Sequence, residues 1–101
     1  MSNVKLFKLV TGEEILAEVV SKPSLASDGY VLKNCIRIVY YDTGKGVSTG
    51  FAPFLPMSAD EQISLKNSSV LVEVTPKDEV LAEYTRIFSG IVIPSNQSII
   101  T

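Results

Sequence analysis

The side chains that most often perform acid–base or nucleophilic chemistry are scarce in this sequence. Its 101 residues include no histidine, so the commonest general base, the commonest metal ligand and every Ser-His or Cys-His nucleophile pair are missing. Cys35 is the single cysteine. Without a partner it forms no intrachain disulfide and no structural zinc site, and we expect it to pack as a small apolar side chain. We therefore predict that the chain is not an enzyme and holds no cofactor.

Two acidic pairs are the remaining candidates for a bound cation. Glu13 and Glu14 adjoin a predicted hairpin, and Asp60 and Glu61 lie in a polar loop. Paired carboxylates can bind Mg²⁺ or Ca²⁺. Neighbouring residues of a strand point to opposite faces, however, so solvated carboxylates are the favoured interpretation of both pairs and no metal site is predicted.

Charge and hydropathy indicate what kind of partner to expect. Nine Lys and Arg residues against eleven Asp and Glu residues give a net charge of −2, so binding of nucleic acid would need a local pocket rather than the field of the whole chain. Hydrophobic residues make up 46% of the chain, which is high for a domain with so much surface per volume. A homo-oligomer that buries part of this surface is favoured over a monomer with a Val- and Ile-rich sheet.

The elements that must position any site are mainly strands. Apolar and β-branched runs separated by turn residues predict strands at 4–10, 15–20, 30–41, 47–55 and 69–74, with a short additional piece at 63–65. Gly12 closes a predicted hairpin between the first two strands. In the long third strand the even positions alternate with more polar ones, which places Tyr30, Leu32, Ile36, Ile38 and Tyr40 on one face.

The periodicity changes to that of a helix after residue 74. Thr75 and Pro76 are typical of an N-cap and a first helical position, and Gly90 is typical of a C-terminal stop, so we predict a helix at about 76–89. One face of this helix is apolar and comprises Val80, Leu81, Tyr84, Ile87 and Phe88. Residues 91–101 are expected to be a C-terminal tail. Without a signal peptide or an apolar run of membrane-spanning length, we expect a cytoplasmic protein with no membrane partner.

Two stretches resemble the signature motifs of the Sm/LSm family. Residues 9–19 (LVTGEEILAEV) are similar to its first motif, with Ala17 where the family has a glycine in a bent strand. Residues 65–70 (LKNSSV) are similar to its second motif, with lysine and asparagine in place of Arg-Gly. The resemblance spans roughly residues 4–74. The sequence departs from the family by placing its helix at the C-terminus, an arrangement similar to the small Sm-like proteins of marine tailed phages.

The resemblance implies a small, strongly bent, five-stranded barrel with one C-terminal amphipathic helix, in a single domain over residues 1–101. It also implies that edge strands pair between subunits to form a ring, and that single-stranded RNA binds on the ring's inner face. Position by position, this implies RNA contacts by Lys66 and Asn67. Asp28 matches the anchor of the family's Asp-x-x-Met-Asn loop, and Asn34 matches its asparagine only after a shift of register.

Two functional hypotheses follow. The first is an oligomeric Sm-like ring that binds RNA, in the host cytoplasm if a phage encodes it. The second is a homo-oligomeric structural or protein-interaction module that keeps the same fold without the RNA site and docks a protein partner through its helix or tail. The acidic balance favours the second hypothesis, whereas the Lys66-Asn67 turn favours the first.

Overall fold

The computed structural model of this chain describes residues 3–88, which form a strongly bent antiparallel sheet with one α-helix near the C-terminus. This confirms the predicted mainly β class and the late helix. The predicted helix stop at Gly90 and the predicted tail lie outside the described residues. The elements in chain order are β1 Val4–Leu9, β2 Glu14–Ser21, β3 Gly29–Asp42, β4 Val47–Pro53, β5 Gln62–Lys66, a 3₁₀ turn Asn67–Ser69, β6 Val70–Val74 and α1 Asp78–Phe88.

The sheet has six strands, so the five-stranded barrel implied by the resemblance is not confirmed. The sixth strand, β5, contains the short additional piece predicted at 63–65. The strand order is β4-β3-β2-β1-β6, and β5 pairs with β3. The 14 residues of β3 are long enough for two partners: its first part pairs with β5 from Gly29 to Lys33, and its second part pairs with β4 from Ile36 to Asp42. Within residues 3–88 no pairing joins β4 to β6, so hydrogen bonds do not close the sheet into a barrel.

The first hairpin turns at Gly12, as predicted. Gly12 has a φ of +97°, a conformation that glycine adopts without steric cost. Its N–H donates to the carbonyl of Leu9 at 2.9 Å, and the Leu9 N–H donates to the carbonyl of Glu13 at 2.8 Å. This turn sets the register of β1 against β2, in which Phe7 lies opposite Ile15.

Both faces of the sheet are apolar. Neighbouring residues of β2 illustrate this, because Ile15 and Ala17 belong to a cluster on the concave inner face whereas Leu16 belongs to a second cluster on the outer face. The inner cluster consists of the buried side chains Phe7, Leu9, Ile15, Ala17, Val19, Tyr30 and Leu32. The outer cluster consists of Val4, Leu16, Ile36 and Tyr84, with Tyr84 supplied by α1. The helix therefore covers the outer face.

A bulge in β3 decides which side chains reach each face. Leu16 of β2 pairs with Ile36, but two residues later Glu18 pairs with Lys33, so β3 carries an extra residue between these pairs. Asn34 lies in that bulge with a φ of +53°. An extra residue inverts the alternation that follows it. The prediction that the even positions share one face was therefore wrong: Tyr30 and Leu32 point inward, whereas Ile36 and Ile38 point outward beneath the helix.

The helix begins at Asp78, two residues later than predicted, and the Lys77 carbonyl accepts a hydrogen bond of 2.9 Å from the Leu81 N–H. Four of the five predicted face residues pack against the sheet, and Tyr84 is fully buried. The fifth, Ile87, is 43% exposed. Within residues 3–88, no helix has the length and apolar character needed to cross a bilayer.

Tyr84 joins the helix to the bulge. Its hydroxyl donates to the backbone carbonyl of Asn34 at 2.6 Å, and its ring lies 4.8 Å from that of Phe88. Burial raises the pKa of the Tyr84 phenol, so the hydroxyl keeps its proton and acts as a donor. The hydrogen bond satisfies a carbonyl that the interrupted β-ladder leaves unpaired at the bulge.

We expect Tyr84→Phe to lower the free energy of unfolding by about 1–3 kcal/mol, because the change leaves a carbonyl without its donor next to the outer core. Urea denaturation at a fixed protein concentration measures this difference. Tyr41→Phe is the matched control, since Tyr41 is 53% exposed at the far end of β3. Equal stabilities of the two variants would contradict a structural role for the Tyr84 hydroxyl.

Candidate nucleic-acid interface and open strand edges

Three of the residues that the resemblance assigns to RNA lie side by side, and we call this place the corner: Asp28, Lys66 and Asn67. Asp28 ends the β2–β3 loop, whereas Lys66 and Asn67 lie at the turn between β5 and β6. The N–H of Asn67 donates to the carbonyl of Asp28 at 2.9 Å. All three side chains are exposed. Two loops that are distant in sequence thus present an acid, an amide and an ammonium group to solvent together.

Gly29 makes the close approach of these loops possible. It pairs with Lys66 at the first position of the β3–β5 ladder. A Cβ atom at residue 29 would lie 2.8 Å from the backbone oxygen of Leu65, closer than van der Waals contact allows. Any larger residue would have to push β5 away from β3, and with it the turn that carries Lys66 and Asn67.

Asn34 does not join the corner. It lies five positions further along β3 than Gly29, or roughly 15 Å at the usual rise of a strand. Its side-chain Nδ2 donates to Glu18 Oε1 at 2.8 Å, and its carbonyl accepts from Tyr84. Asparagine tolerates the left-handed backbone of the bulge better than most residues do. The contacts of Asn34 are therefore those of a residue that holds the bulge in place.

A polar network that the sequence did not reveal lies between β3 and β6. The Tyr30 hydroxyl donates to Glu73 Oε1 at 2.9 Å, and Lys22 Nζ lies 3.0 Å from Glu73 Oε2. Partial burial raises the pKa of Glu73, but the hydrogen bonds from Lys22 and Tyr30 outweigh it and hold that pKa below its usual value. No local motif connects these residues, because they are brought together by the curvature of the sheet.

The charge of the corner is balanced. Within residues 3–88, Lys66 has no carboxylate within ion-pair distance, and the nearby cation Lys22 is paired with Glu73. One free ammonium group and the carboxylate of Asp28 therefore face solvent. Such a site can recognise a ligand by hydrogen bonds and one charge, but it does not supply a broad positive field.

The side chains of Cys35, Glu13 and Glu14 are occupied by structural contacts. Burial raises the pKa of Cys35 to about 12, so the thiol stays protonated and packs against the inner cluster. Glu14 accepts hydrogen bonds from Tyr40 and from Lys8, and Glu13 accepts one from the Thr11 hydroxyl. Nowhere in the described range do three acidic, cysteine or histidine side chains gather as a metal site would require.

The strand order ends in two edges that are open within residues 3–88. In this range β4 and β6 each pair with one neighbour only, as does the short β5, which leaves backbone donors and acceptors available for another strand. On β6, Leu71 is 61% exposed, Val72 49% and Val74 44%. Three exposed aliphatic side chains on one five-residue edge strand form an unusual surface for a monomer. Part of the apolar excess noted in the composition thus lies at this edge.

No protein-family model matches this chain, and no curated protein matches it in sequence. The functional interpretation therefore depends on the corner, the two open edges and the motifs of the sequence itself.

We expect Gly29→Ala to lower the free energy of unfolding by about 1–3 kcal/mol, because the added methyl group meets the backbone of Leu65 and no flexible side chain can yield. Amide hydrogen exchange should show loss of protection in β5. Gly50→Ala is the matched control, since its added Cβ would lie 3.4 Å from the Tyr41 ring, in ordinary contact. Equal effects of the two substitutions would contradict the proposed tight approach.

Proposed function

We propose that this protein is an Sm-like module that assembles into a homo-oligomer through its open strand edges and binds single-stranded RNA at the corner. The observation that carries the proposal is the corner itself. The resemblance assigns Asp28 to one RNA-contacting loop and Lys66 and Asn67 to another, and these loops are joined by a backbone hydrogen bond. The sheet that carries them has, within residues 3–88, an open edge at each end.

Several features of the sheet support the Sm-like part of the proposal. The hairpin at Gly12 joins the first two strands, and the last strand returns to pair with β1. Ala17, which replaces the family's glycine, lies at the register shift of β2 opposite the β3 bulge and is fully buried. A small side chain fits this fully buried position opposite the bulge. The turn at Asn67 separates the last two strands, where the second motif requires a turn.

The assembly part depends on the two edges being different. An interface between β6 of one copy and β4 of the next uses a different surface on each partner, so every added copy leaves one edge of each kind open. Such a series ends only when it closes into a ring. Closure would bury the exposed aliphatic side chains of β6 and satisfy the free backbone groups of both edges.

Repetition within the oligomer supports RNA binding by so small a site. One corner offers a single free ammonium group and one amide, which gives a weak contact with a nucleotide. In a ring each copy would present the same corner, so one RNA strand could bind several corners, each made more effective by the others. The chain's net charge of −2 makes this local repetition necessary, because the whole protein does not attract RNA.

A second candidate is the same assembly without RNA binding, as a structural or protein-interaction module. The observation that favours it is the hydrogen bond from the Asn34 side chain to Glu18, which occupies the amide that the resemblance assigns to RNA. The carboxylate of Asp28, which lies in the corner with Lys66, also opposes the approach of phosphate groups.

We expect the wild-type chain to sediment as a homo-oligomer, and Val72→Lys to shift it towards monomer, because a charge would be buried in the strand interface. Sedimentation equilibrium or light scattering at several concentrations measures this shift. Leu25→Lys is the control, since Leu25 is fully exposed in the β2–β3 loop and belongs to neither edge strand. A wild-type monomer at high concentration would refute the assembly.

RNA binding can be tested by filter binding of U-rich and A-rich oligonucleotides over a salt series. We expect Lys66→Ala to weaken binding and to reduce the slope of log K against log salt by about 1 for each corner engaged. Lys45→Ala, in the turn between β3 and β4, is the control for a lysine outside the corner. Absence of binding by the wild-type oligomer at low salt would refute the RNA site and leave the second candidate.

A further inference from the structure

A groove on the outer surface separates the edge strand β4 from α1. Its volume is about 430 Å³. The strand side is formed by Gly50 and Phe51, and the helix side by Val80 and Ile87, with glutamates along the helix rim. Ile87 is the member of the helix's apolar face that remains 43% exposed. Among residues 3–88, the groove thus combines an open strand edge with an apolar helix surface that is not covered.

We propose that this groove receives β6 of a second copy of the chain, so that α1 covers the added strand and forms part of the subunit interface. The inference rests on the strand-edge assembly proposed above and adds to it a role for the helix. In this arrangement the helix has two contacts: Tyr84 fixes it to its own sheet, and Ile87 contacts the neighbouring copy.

The side chains of both strands have the direction that this arrangement needs. On β4, Phe51 lies opposite Ile38 and packs with the outer cluster, so it points to the helix side of the sheet. On β6, Val74 lies opposite Leu6, which also packs with the outer cluster. Val72 has the same direction as Val74. If β6 of a second copy is added to β4 so that the outer faces of the two sheets form one surface, Val72 and Val74 therefore lie in the groove.

Charge favours adding β6 with Val72 and Val74 towards the helix over adding it with Glu73 towards the helix. Glu79 and Glu83 line the helix side of the groove. Glu83 is paired with Arg86, whereas no ion pair of Glu79 is found within residues 3–88. If β6 were added with its other face towards the helix, Glu73 would approach Glu79, and like charges in a partly buried site repel each other. Glu73 is also held on the inner side of its own sheet by Tyr30 and Lys22. The face with Val72 and Val74 brings no carboxylate of β6 to the groove.

Three half-exposed aliphatic side chains, two on β6 and one on α1, would be covered by a single contact between two copies. Val72 is 49% exposed, Val74 44% and Ile87 43%. In the chain as described, each of these aliphatic side chains is half covered by its own subunit. An interface between β6 of one copy and α1 of the next would cover the exposed part of all three side chains. The free energy of association then comes from apolar surface that both partners remove from water.

The first test is Ile87→Lys, which keeps the helix propensity and places a charge in the groove. We expect the subunit dissociation constant, measured by sedimentation equilibrium, to rise at least tenfold. Ala82→Lys is the matched control, because Ala82 is an exposed position of the same helix outside the groove. Far-ultraviolet circular dichroism and urea denaturation would show whether each variant retains the fold.

The second test is disulfide trapping between copies. A mixture of Ile87→Cys chains with Val72→Cys or Val74→Cys chains should form a covalent heterodimer on mild oxidation, whereas Ile87→Cys mixed with Leu25→Cys should not. The native Cys35 adds little background, since burial raises its pKa to about 12.

The outcomes separate this inference from the proposed function. A wild-type oligomer that Val72→Lys dissociates but Ile87→Lys leaves intact, with no trapped heterodimer, would overturn the role of α1 and leave the strand-edge assembly standing. A monomeric wild type would overturn both. Dissociation by Ile87→Lys together with trapping at Val72 or Val74 is the result that we expect.

Discussion

The hydrogen bond from Tyr84 to the backbone of Asn34 is the interaction on which the rest of the architecture depends. The bulge at Asn34 inverts the alternation of β3, so that the strand contributes Tyr30 and Leu32 to the inner face and Ile36 to the outer face. A bulge leaves backbone groups unpaired, and these are costly next to an apolar core. The Tyr84 hydroxyl satisfies one of them, and the contact with Glu18 holds the Asn34 side chain.

The two-faced sheet explains why the helix is needed. A sheet that is apolar on one side only could expose the other side to water, but here Leu16, Val4 and Ile36 of the outer face require a cover. The helix supplies it with Tyr84 at the centre. Its cover is incomplete towards β4, where Ile87 and Phe51 face the groove. The same element thus completes one core and begins an interface.

The position of the candidate RNA site follows from the curvature of the sheet. Because β3 pairs with β5 at its start and with β4 at its end, the turn after β5 is brought against the loop before β3. Gly29 allows the backbones to approach, and the hydrogen bond between Asn67 and Asp28 fixes them. The resulting corner is small and nearly neutral, so any affinity for RNA has to come from several copies acting together.

The sequence alone determined the features that depend on local chemistry. The absence of histidine, the glycine turn at Gly12, the strand periodicity and the amphipathic face around Tyr84 could all be recognised from neighbouring residues. These features gave the mainly β class and the late helix. The three residues of the corner were instead assigned by the resemblance to the Sm/LSm motifs.

The tertiary structure decided what depends on residues distant in the chain. The backbone carbonyl at the bulge accepts a hydrogen bond from the Tyr84 hydroxyl, fifty positions later in the sequence. The alternation of residues along β3 does not reveal such a distant partner. For this reason the sequence pattern assigned one face to all even positions of β3. Which aliphatic side chains stay exposed on β6 was also undetermined, because exposure depends on the neighbours that the folded sheet supplies and, at an open edge, on those it lacks.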